Sequence, residues 1–368
     1  MSNLSRPTPL FGIAPSALVA AATPGTLAAQ ELDNPAVGGR ARFSRPTLAA
    51  GGAMTRVAHV WFALALLTTI APRAVEAQAP DAPGRHRVEI RSTADATPQP
   101  SVLVIPAAPA PSEAGRRPLA VMLLTWSFDL DQRDSTVEAE EDARGWLLLS
   151  PNFRGRSDTP FACGSDLAQR NILDAVAWVR GHYAVDSTRI YLLGRSGGGF
   201  MTMLMASRYP AQWAGASAWV GISDVAAWNR EHEKDDYGRM MRACFGGTPA
   251  ESAAIAAEYG ARAPLRYLNS QLRVPLDLAA GVHDTVVSPR QTLKAFQAIA
   301  PGSLSDDEIE AMMRGQYGTP VPAVDPSFGR TIHVRRAAGP SRLTLFEGEH
   351  EWISRAAIVW LAAQRWQP

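Results

Sequence analysis

A serine surrounded by glycine lies near the middle of this chain of 368 residues, between an apolar run and a segment of helical composition. Residues 191–200 read "YLLGRSGGGF", in which Gly194, Ser196 and Gly198 give the pattern G-x-S-x-G. Where this pattern joins a strand to a helix, the serine occupies a strained turn that projects its hydroxyl above the sheet. The start of the helix adds main-chain N–H groups and partial positive charge near that hydroxyl. We therefore predict that Ser196 is a nucleophile.

A serine hydroxyl is a weak nucleophile until a base accepts its proton, and that base needs an acid to orient it. In chains with this turn, the acid follows the serine and the histidine follows the acid. Asp284 comes just after the apolar run "VPLDLAAGV", and His350 comes just after "SRLTLFEG". Strand ends of this kind meet at the carboxyl edge of a parallel sheet, so we predict a Ser196–Asp284–His350 triad. Asp224, after "WVGIS", is the alternative acid, although it could instead cap the next helix.

A serine nucleophile also needs two N–H donors that stabilise the negative charge on the carbonyl oxygen. The main-chain N–H of Gly197 is the first predicted donor, because it follows the nucleophile. The second should come from the turn after "AVMLLTWS", where Trp126 is preferred and Ser127 is the alternative. The indole of Trp126 could form a wall of the acyl pocket or belong to the core. His232 lies in the charged run "EHEKDD", which predicts a solvated surface.

Apolar runs of strand length alternate with helical segments from about residue 85 onward. "PLAVMLLTW" and "GWLLLSPNF" are continuous apolar runs, typical of strands buried on both faces, and "NILDAVAWVR" carries one apolar helical stripe. This alternation predicts an α/β fold with a mostly parallel sheet flanked by helices. Residues 224–272 interrupt it and predict a helical cap, in which Trp228, Tyr237 and Phe245 could line the pocket. Residues 301–330 are polar and predict a surface excursion.

The N-terminal residues do not have the composition of a folded domain. Residues 1–53 are rich in Ala, Pro and Gly without a sustained period, which predicts a disordered segment that precedes the true start at Met54. Residues 54–79 have a positive flank, an apolar run and small residues, the order of a signal peptide. A membrane-spanning helix is the alternative, but the run is shorter than the ~17–25 residues a span needs. We expect a secreted or periplasmic protein whose folded domain is 80–368.

The net charge and the cysteine content restrict which binding partners and cofactors we expect. The formal net charge is +1, which gives no electrostatic reason to expect nucleic acid as a partner. The two cysteines, Cys163 and Cys244, could pair in an oxidising compartment or remain buried thiols. They lack the neighbouring histidines of a zinc site, and the predicted chemistry requires no metal or organic cofactor.

Taken together, these motifs resemble the α/β-hydrolase superfamily and, within it, the catalytic domain of prolyl oligopeptidase-like proteins (peptidase S9). The resemblance covers residues 118–365 and rests on "SPNFRGRS", "GRSGGGFM", "VPLDLAAGVHDTVVSP" and "FEGEHEW". It implies a sheet of about eight strands, with Ser196, Asp284 and His350 on the family's catalytic positions.

Three departures from the family's peptidases favour an ester substrate. The chain before the third strand is too short for their β-propeller, Thr125-Trp126 replaces a usual His-Gly pair, and Gly197 replaces a frequent tyrosine. The segment "RRAAGPSRLTLFEGEHE" also resembles exported single-domain esterases that act on carbohydrate or plant-polymer esters. We therefore expect a serine esterase. The alternatives are a serine peptidase that acts on short peptides and a non-catalytic binding protein on the same fold.

Overall fold

The computed structural model of the protein describes residues 79–112, 114–318 and 325–366. The expected N-terminal segment 1–53 lies outside the described residues, as does the expected signal peptide 54–79 except for Ala79. Within the described ranges, no helix combines the length and the apolar character that crossing a membrane requires.

Nine strands form one sheet among the described residues. They are β1 (Gly84–Arg91), β2 (Pro98–Ile105), β3 (Arg117–Leu123), β4 (Leu147–Pro151), β5 (Val185–Arg195), β6 (Gly215–Trp219), β7 (Leu276–Gly281), β8 (Ile332–Ala338) and β9 (Ser341–Phe346). Their order in the sheet is β1-β2-β4-β3-β5-β6-β7-β9-β8. The six strands from β4 to β9 in that order are parallel, and antiparallel pairing is confined to the two edges. The sheet thus has one strand more than the resemblance implied.

The helices cover both faces of this sheet. They are α1 (Ser135–Arg144), α2 (Asp166–His182), α3 (Gly197–Arg208), α4 (Val225–Glu231), α5 (Asp236–Phe245), α6 (Ala253–Arg262), α7 (Pro289–Ile299), α8 (Asp306–Met313) and α9 (Ser354–Ala362). One apolar cluster joins α1 and α9 to one face of the central strands, and a larger cluster joins α2, α3 and α7 to the other. Because both faces are covered, the central strands are the continuous apolar runs that the sequence showed.

Helices α4 to α6 form the expected cap within 224–272. A disulfide between Cys163 and Cys244, with Cα atoms 6.2 Å apart, joins α5 to the loop that follows β4. Arg262, at the end of α6, donates to the carbonyl of Pro160 in the same loop at 3.1 Å. The cap is therefore attached to the carboxyl edge of the sheet by a covalent bond as well as by packing.

The described residues of the segment 301–330 contain a helix that its polar composition did not predict. Helix α8 lies within it, and its Ile309 and Met312 are buried. Ser305 and Glu308 form a reciprocal capping box at its start. The sequence "SDDE" carried this signal, because serine followed three residues later by glutamate is the pattern of a helix start.

Candidate active site

Ser196 occupies the turn between β5 and α3 in a conformation that non-glycine residues rarely adopt. Its φ is 55° and its ψ is −123°, and its main-chain N–H donates to the carbonyl of Trp219 at 2.9 Å. The chain can turn this sharply because Gly194 and Gly198 touch: a Cβ on Gly194 would lie 2.5 Å from the carbonyl carbon of Gly198. The strain is of the kind found where a side chain must be held in one reactive orientation.

Asp284 and His350 meet at the same edge of the sheet. His350 Nδ1 lies 2.8 Å from Asp284 Oδ2, while Asp284 Oδ1 accepts hydrogen bonds from the N–H groups of Val286 and Val287, both at 2.9 Å. The carboxylate side chain is fully buried and the imidazole is 22% exposed. An acid held at one oxygen by the main chain and at the other by the ring fixes the orientation of the imidazole.

The fold brings this pair together through the loops that follow β7 and β9, which are neighbours in the sheet. His283 donates its main-chain N–H to the carbonyl of Gly348 at 2.9 Å, and Val282 donates to Phe346 at 3.0 Å. These bonds continue the ladder past the strand ends. Strand β5 ends at the same edge, two positions away from β7, so Ser196 lies on the edge that carries the pair.

Two unpaired main-chain donors lie beside the serine. A Cβ on Gly197 would lie 2.3 Å from the main-chain nitrogen of Trp126, so the two backbones are in direct contact. Neither N–H donates a hydrogen bond to any residue that the structure describes. Ser127, the alternative donor, follows Trp126, whose carbonyl accepts from Ser157 at 3.0 Å. The geometry supports Gly197 and Trp126 as the two donors to a carbonyl oxygen.

The indole of Trp126 is buried and packs against aromatic rings from the helix behind the serine and from the cap. Its centroid lies 5.6 Å from that of Phe200 and 5.0 Å from that of Trp228. Trp228 in turn contacts Tyr237 at 5.1 Å, whereas Phe245 stacks on Tyr259 at 4.0 Å. The structure shows the core role expected for the indole of Trp126, because this ring is part of a buried aromatic cluster between α3 and the cap.

Asp224, the alternative acid, caps a helix instead. It is the N-cap of α4, where Oδ1 accepts from the N–H of Ala227 at 2.9 Å. This is the competing role that the sequence suggested.

The expectation that His232 belongs to a solvated surface is wrong. Its side chain is 11% exposed, and Nε2 lies 2.7 Å from the carbonyl of Val286. Trp228 Nε1 donates to the same carbonyl at 2.9 Å. The cap therefore holds the loop that supplies the main-chain partners of Asp284. The charged neighbours of His232 concealed this role in the sequence.

Sequence reasoning also missed Glu347. Its two carboxylate oxygens lie 2.9 Å from His283 Nε2 and 2.7 Å from His333 Nε2. Hydrogen bonds from His333 and His283 hold the pKa of Glu347 below its usual range. Glu347 thereby links the loop after β7, which carries Asp284 and is called the acid loop, to the edge strand β8. Glu347 itself lies in the loop after β9, which carries His350. The three residues are distant in sequence, so only the "FEGEHE" segment hinted at a charged cluster here.

Known proteins similar to this chain include proteins named as a peptidase and as an esterase. The sequence profile described as "Prolyl oligopeptidase family" matches residues 164–316. The uncharacterized peptidase YtmA of Bacillus subtilis is 31% identical over 150 residues, which are 40% of this chain and 55% of that protein. Acetylxylan esterase A of Aspergillus awamori is 30% identical over 90 residues, which are 23% of this chain and 29% of the esterase. The matched regions thus span 55% or less of these relatives.

Solved structures share the fold at low sequence identity. A puromycin-hydrolyzing peptidase of Mycobacterium tuberculosis has a TM-score of 0.52 and 16% identity, over 75% of this chain and 37% of that one. The acylaminoacyl peptidase of Pyrococcus horikoshii has a TM-score of 0.53 and 15% identity, over 75% of this chain and 40% of that one. These similarities show a common architecture.

Proposed function

We propose that this chain is a serine hydrolase with the α/β-hydrolase fold that cleaves carboxylic esters, with Ser196, Asp284 and His350 as its triad. The match of the prolyl oligopeptidase family profile to residues 164–316 and the similarity to a protein named as a peptidase support this proposal. One arrangement carries the proposal. A strained serine lies beside two unpaired N–H donors, at the sheet edge where a buried carboxylate orients an imidazole.

The proposed reaction proceeds through an acyl-enzyme. Ser196 Oγ attacks the ester carbonyl while His350 Nε2 accepts its proton, and Asp284 keeps the other ring nitrogen protonated. The N–H groups of Gly197 and Trp126 stabilise the oxyanion of the tetrahedral intermediate. His350 then gives the proton to the leaving alcohol. In the second half of the reaction His350 deprotonates a water, which attacks the acyl group and releases Ser196.

Packing beneath the cap supports a short acyl group. Trp126, Phe200 and Trp228 are each at most 1% exposed, so their rings leave little space for a long chain on the cap side. The backbone contact between Gly197 and Trp126 also excludes any side chain at position 197. Similarity to a protein named acetylxylan esterase agrees with a small acyl group such as acetyl.

Exposed aromatic rings in the loops that follow β3 and β4 support an oligomeric or carbohydrate alcohol. Phe128 follows β3 and Phe161 follows β4, so both lie in loops at the catalytic edge, and they are 58% and 61% exposed. Apolar ring faces of this kind bind the flat faces of sugars or aryl groups. Esters of carbohydrates or plant polymers are the proposed substrates.

Cleavage of short peptides is the second candidate. The 150-residue match to a protein named as a peptidase favours it. The same three residues would perform the reaction, with an amine in place of the alcohol as the leaving group.

Paired substrates and one variant test these proposals. We expect the purified protein to hydrolyse p-nitrophenyl acetate and acetylated xylan oligomers far faster than peptide p-nitroanilides. A fluorophosphonate should label the wild type, and Ser196→Ala should abolish labelling and reduce kcat by at least about 10³-fold. Faster turnover of the anilides would select the peptidase. Labelling of another residue, or full activity of Ser196→Ala, would refute the triad.

We also propose that the protein is exported to the cell surface, the periplasm or the medium. Residues 54–79 have the order of a signal peptide, and a disulfide suits an oxidising compartment. Sequencing the N-terminus of the exported protein should give a start close to residue 80. A mature protein that retains residues before Met54 would contradict this.

A further inference from the structure

Arg195 precedes the nucleophile and is the last residue of β5. Its main chain pairs with Trp219 of β6 at the catalytic edge. It is partly buried, yet its guanidinium makes no hydrogen bond or ion pair with any residue that the structure describes. Every other partly buried arginine in the described ranges donates to a carbonyl, an amide or a carboxylate.

An unpaired arginine in this position is energetically unfavourable in the free protein. Removing part of a guanidinium from water costs free energy that a partner normally offsets. Leu193, two residues earlier on the same face of β5, is buried in an apolar cluster, and no described acidic side chain pairs with Arg195. The charge is therefore available to a group that arrives with a ligand.

The position of Arg195 at the end of β5 places it at the edge of the sheet that carries Ser196. Side chains alternate along a strand, so Arg195 lies on the face of Leu193, which α1 and α9 cover. Helices α1 and α9 both begin at the edge of the sheet that carries Ser196. The segments before these two helices are joined by a hydrogen bond, which Trp352 Nε1 donates to Asp134 Oδ2 at 3.0 Å. Asp134 also accepts from Thr136 and Val137, so its carboxylate is already engaged.

From these observations we propose that Arg195 binds a carboxylate carried by the substrate, close to the scissile carbonyl. The preferred substrates are then esters with a free carboxylate on the acyl part or on the alcohol part. The planar guanidinium can donate two parallel hydrogen bonds to such a group, which fixes its orientation as well as its charge. This inference rests on the proposed esterase function and narrows its substrate class.

Two pairs of esters test the inference and distinguish the two positions of the carboxylate. Mono-p-nitrophenyl glutarate against p-nitrophenyl butyrate probes an acyl carboxylate, and 4-acetoxybenzoate against 4-acetoxybenzamide probes one on the alcohol. In one pair, Arg195→Gln should lower the anionic-to-neutral ratio of kcat/KM by about 10- to 100-fold. Arg195→Lys keeps the positive charge but loses the planar guanidinium, so its anionic-to-neutral ratio should lie between those of the wild type and Arg195→Gln. The pair that responds identifies the position.

A matched control variant and a labelling measurement distinguish failure of this inference from failure of the proposed esterase function. Arg180→Gln removes an exposed arginine near the end of α2, at the opposite edge of the sheet, and should leave both ratios unchanged. An equal loss on neutral and anionic esters, or unchanged ratios in both pairs, would overturn the inference. If the wild type cleaves no ester, the proposed function fails instead. Benzoate should still slow fluorophosphonate labelling of the wild type more than benzamide does, and this difference should vanish in Arg195→Gln.

Discussion

Gly197 follows the proposed nucleophile, and its lack of a side chain shapes the site. Gly197 lets the turn that contains Trp126 approach until the two main chains touch, and this contact brings together two N–H groups that donate to none of the described residues. A larger residue there would displace the turn. The glycine at position 197 therefore sets the distance between the two proposed oxyanion donors.

We expect Gly197→Ala to reduce kcat on p-nitrophenyl acetate by about 10²-fold or more, with a smaller change in KM, because losing one oxyanion donor has an effect of this size. The added Cβ would lie 2.3 Å from the Trp126 nitrogen and 2.6 Å from its Cα, and neither atom can rotate away. Steady-state kinetics measure the effect. Gly181→Ala, at a helical position with open space around it, should keep full activity. A fully active Gly197→Ala would show that Trp126 is not a donor.

At the scale of elements, helix α1 buries a carboxyl group against the sheet. Glu141 lies one turn after Val137 on the buried side of the helix and is 1% exposed. Neither of its carboxyl oxygens has a hydrogen-bond partner among the described residues. Burial raises the pKa of Glu141 well above its usual range, so the fold favours its neutral form.

This raised pKa predicts how stability changes with pH. The contribution of Glu141 is fully present below the usual glutamate pKa of about 4.3 and is lost as pH rises through the raised pKa of the folded state. The glutamine side chain of Glu141→Gln cannot ionise. The Tm of this variant should therefore exceed that of the wild type by a margin that grows as pH rises above the usual glutamate pKa of about 4.3. Thermal unfolding between acid and mildly alkaline pH measures the margin.

Glu89→Gln controls for the loss of one negative charge, because Glu89 is exposed on β1. Its margin over the wild type should not grow with pH as that of Glu141→Gln does. A constant margin for Glu141→Gln would show that folding does not raise the pKa of Glu141.

At the scale of the whole molecule, the cap and the sheet act as one unit because of three kinds of contact. The disulfide between Cys163 and Cys244 closes a sequence separation of 81 residues. Arg262 bonds to the loop that contains Cys163, and His232 and Trp228 bond to the carbonyl of Val286 in the acid loop. The order of the cap is therefore coupled to the geometry of the proposed triad.

Replacing both cysteines by serine should lower the free energy of unfolding by roughly 2–4 kcal/mol, because the open loop restores conformational freedom to the unfolded chain. Urea unfolding with and without dithiothreitol measures the loss. The reductant should shift the wild type toward the variant and leave the variant itself unchanged. Equal unfolding midpoints for both proteins would show that the bond contributes no stability.

The sequence by itself determined the fold class and the strand ends that carry the serine, the acid and the histidine. Alternating apolar runs and helical stripes report which faces are buried, and a glycine pattern at a strand–helix junction reports a tight turn. Both signals are local. Helix α8 was missed although its capping box was readable, because the polar composition around it concealed two buried side chains.

Only the tertiary structure decided which distant residues pair. How loops from different strands lie against one another decides the disulfide, the link from His232 to Val286 and the bridge of Glu347 between His283 and His333. It also leaves Arg195 without a partner among the described residues. Such contacts leave no periodic trace, because spatial neighbours at the sheet edge are separated by whole strands and helices along the chain. The packed sheet edge therefore determines the environment of each side chain whose type and order were already set by the sequence.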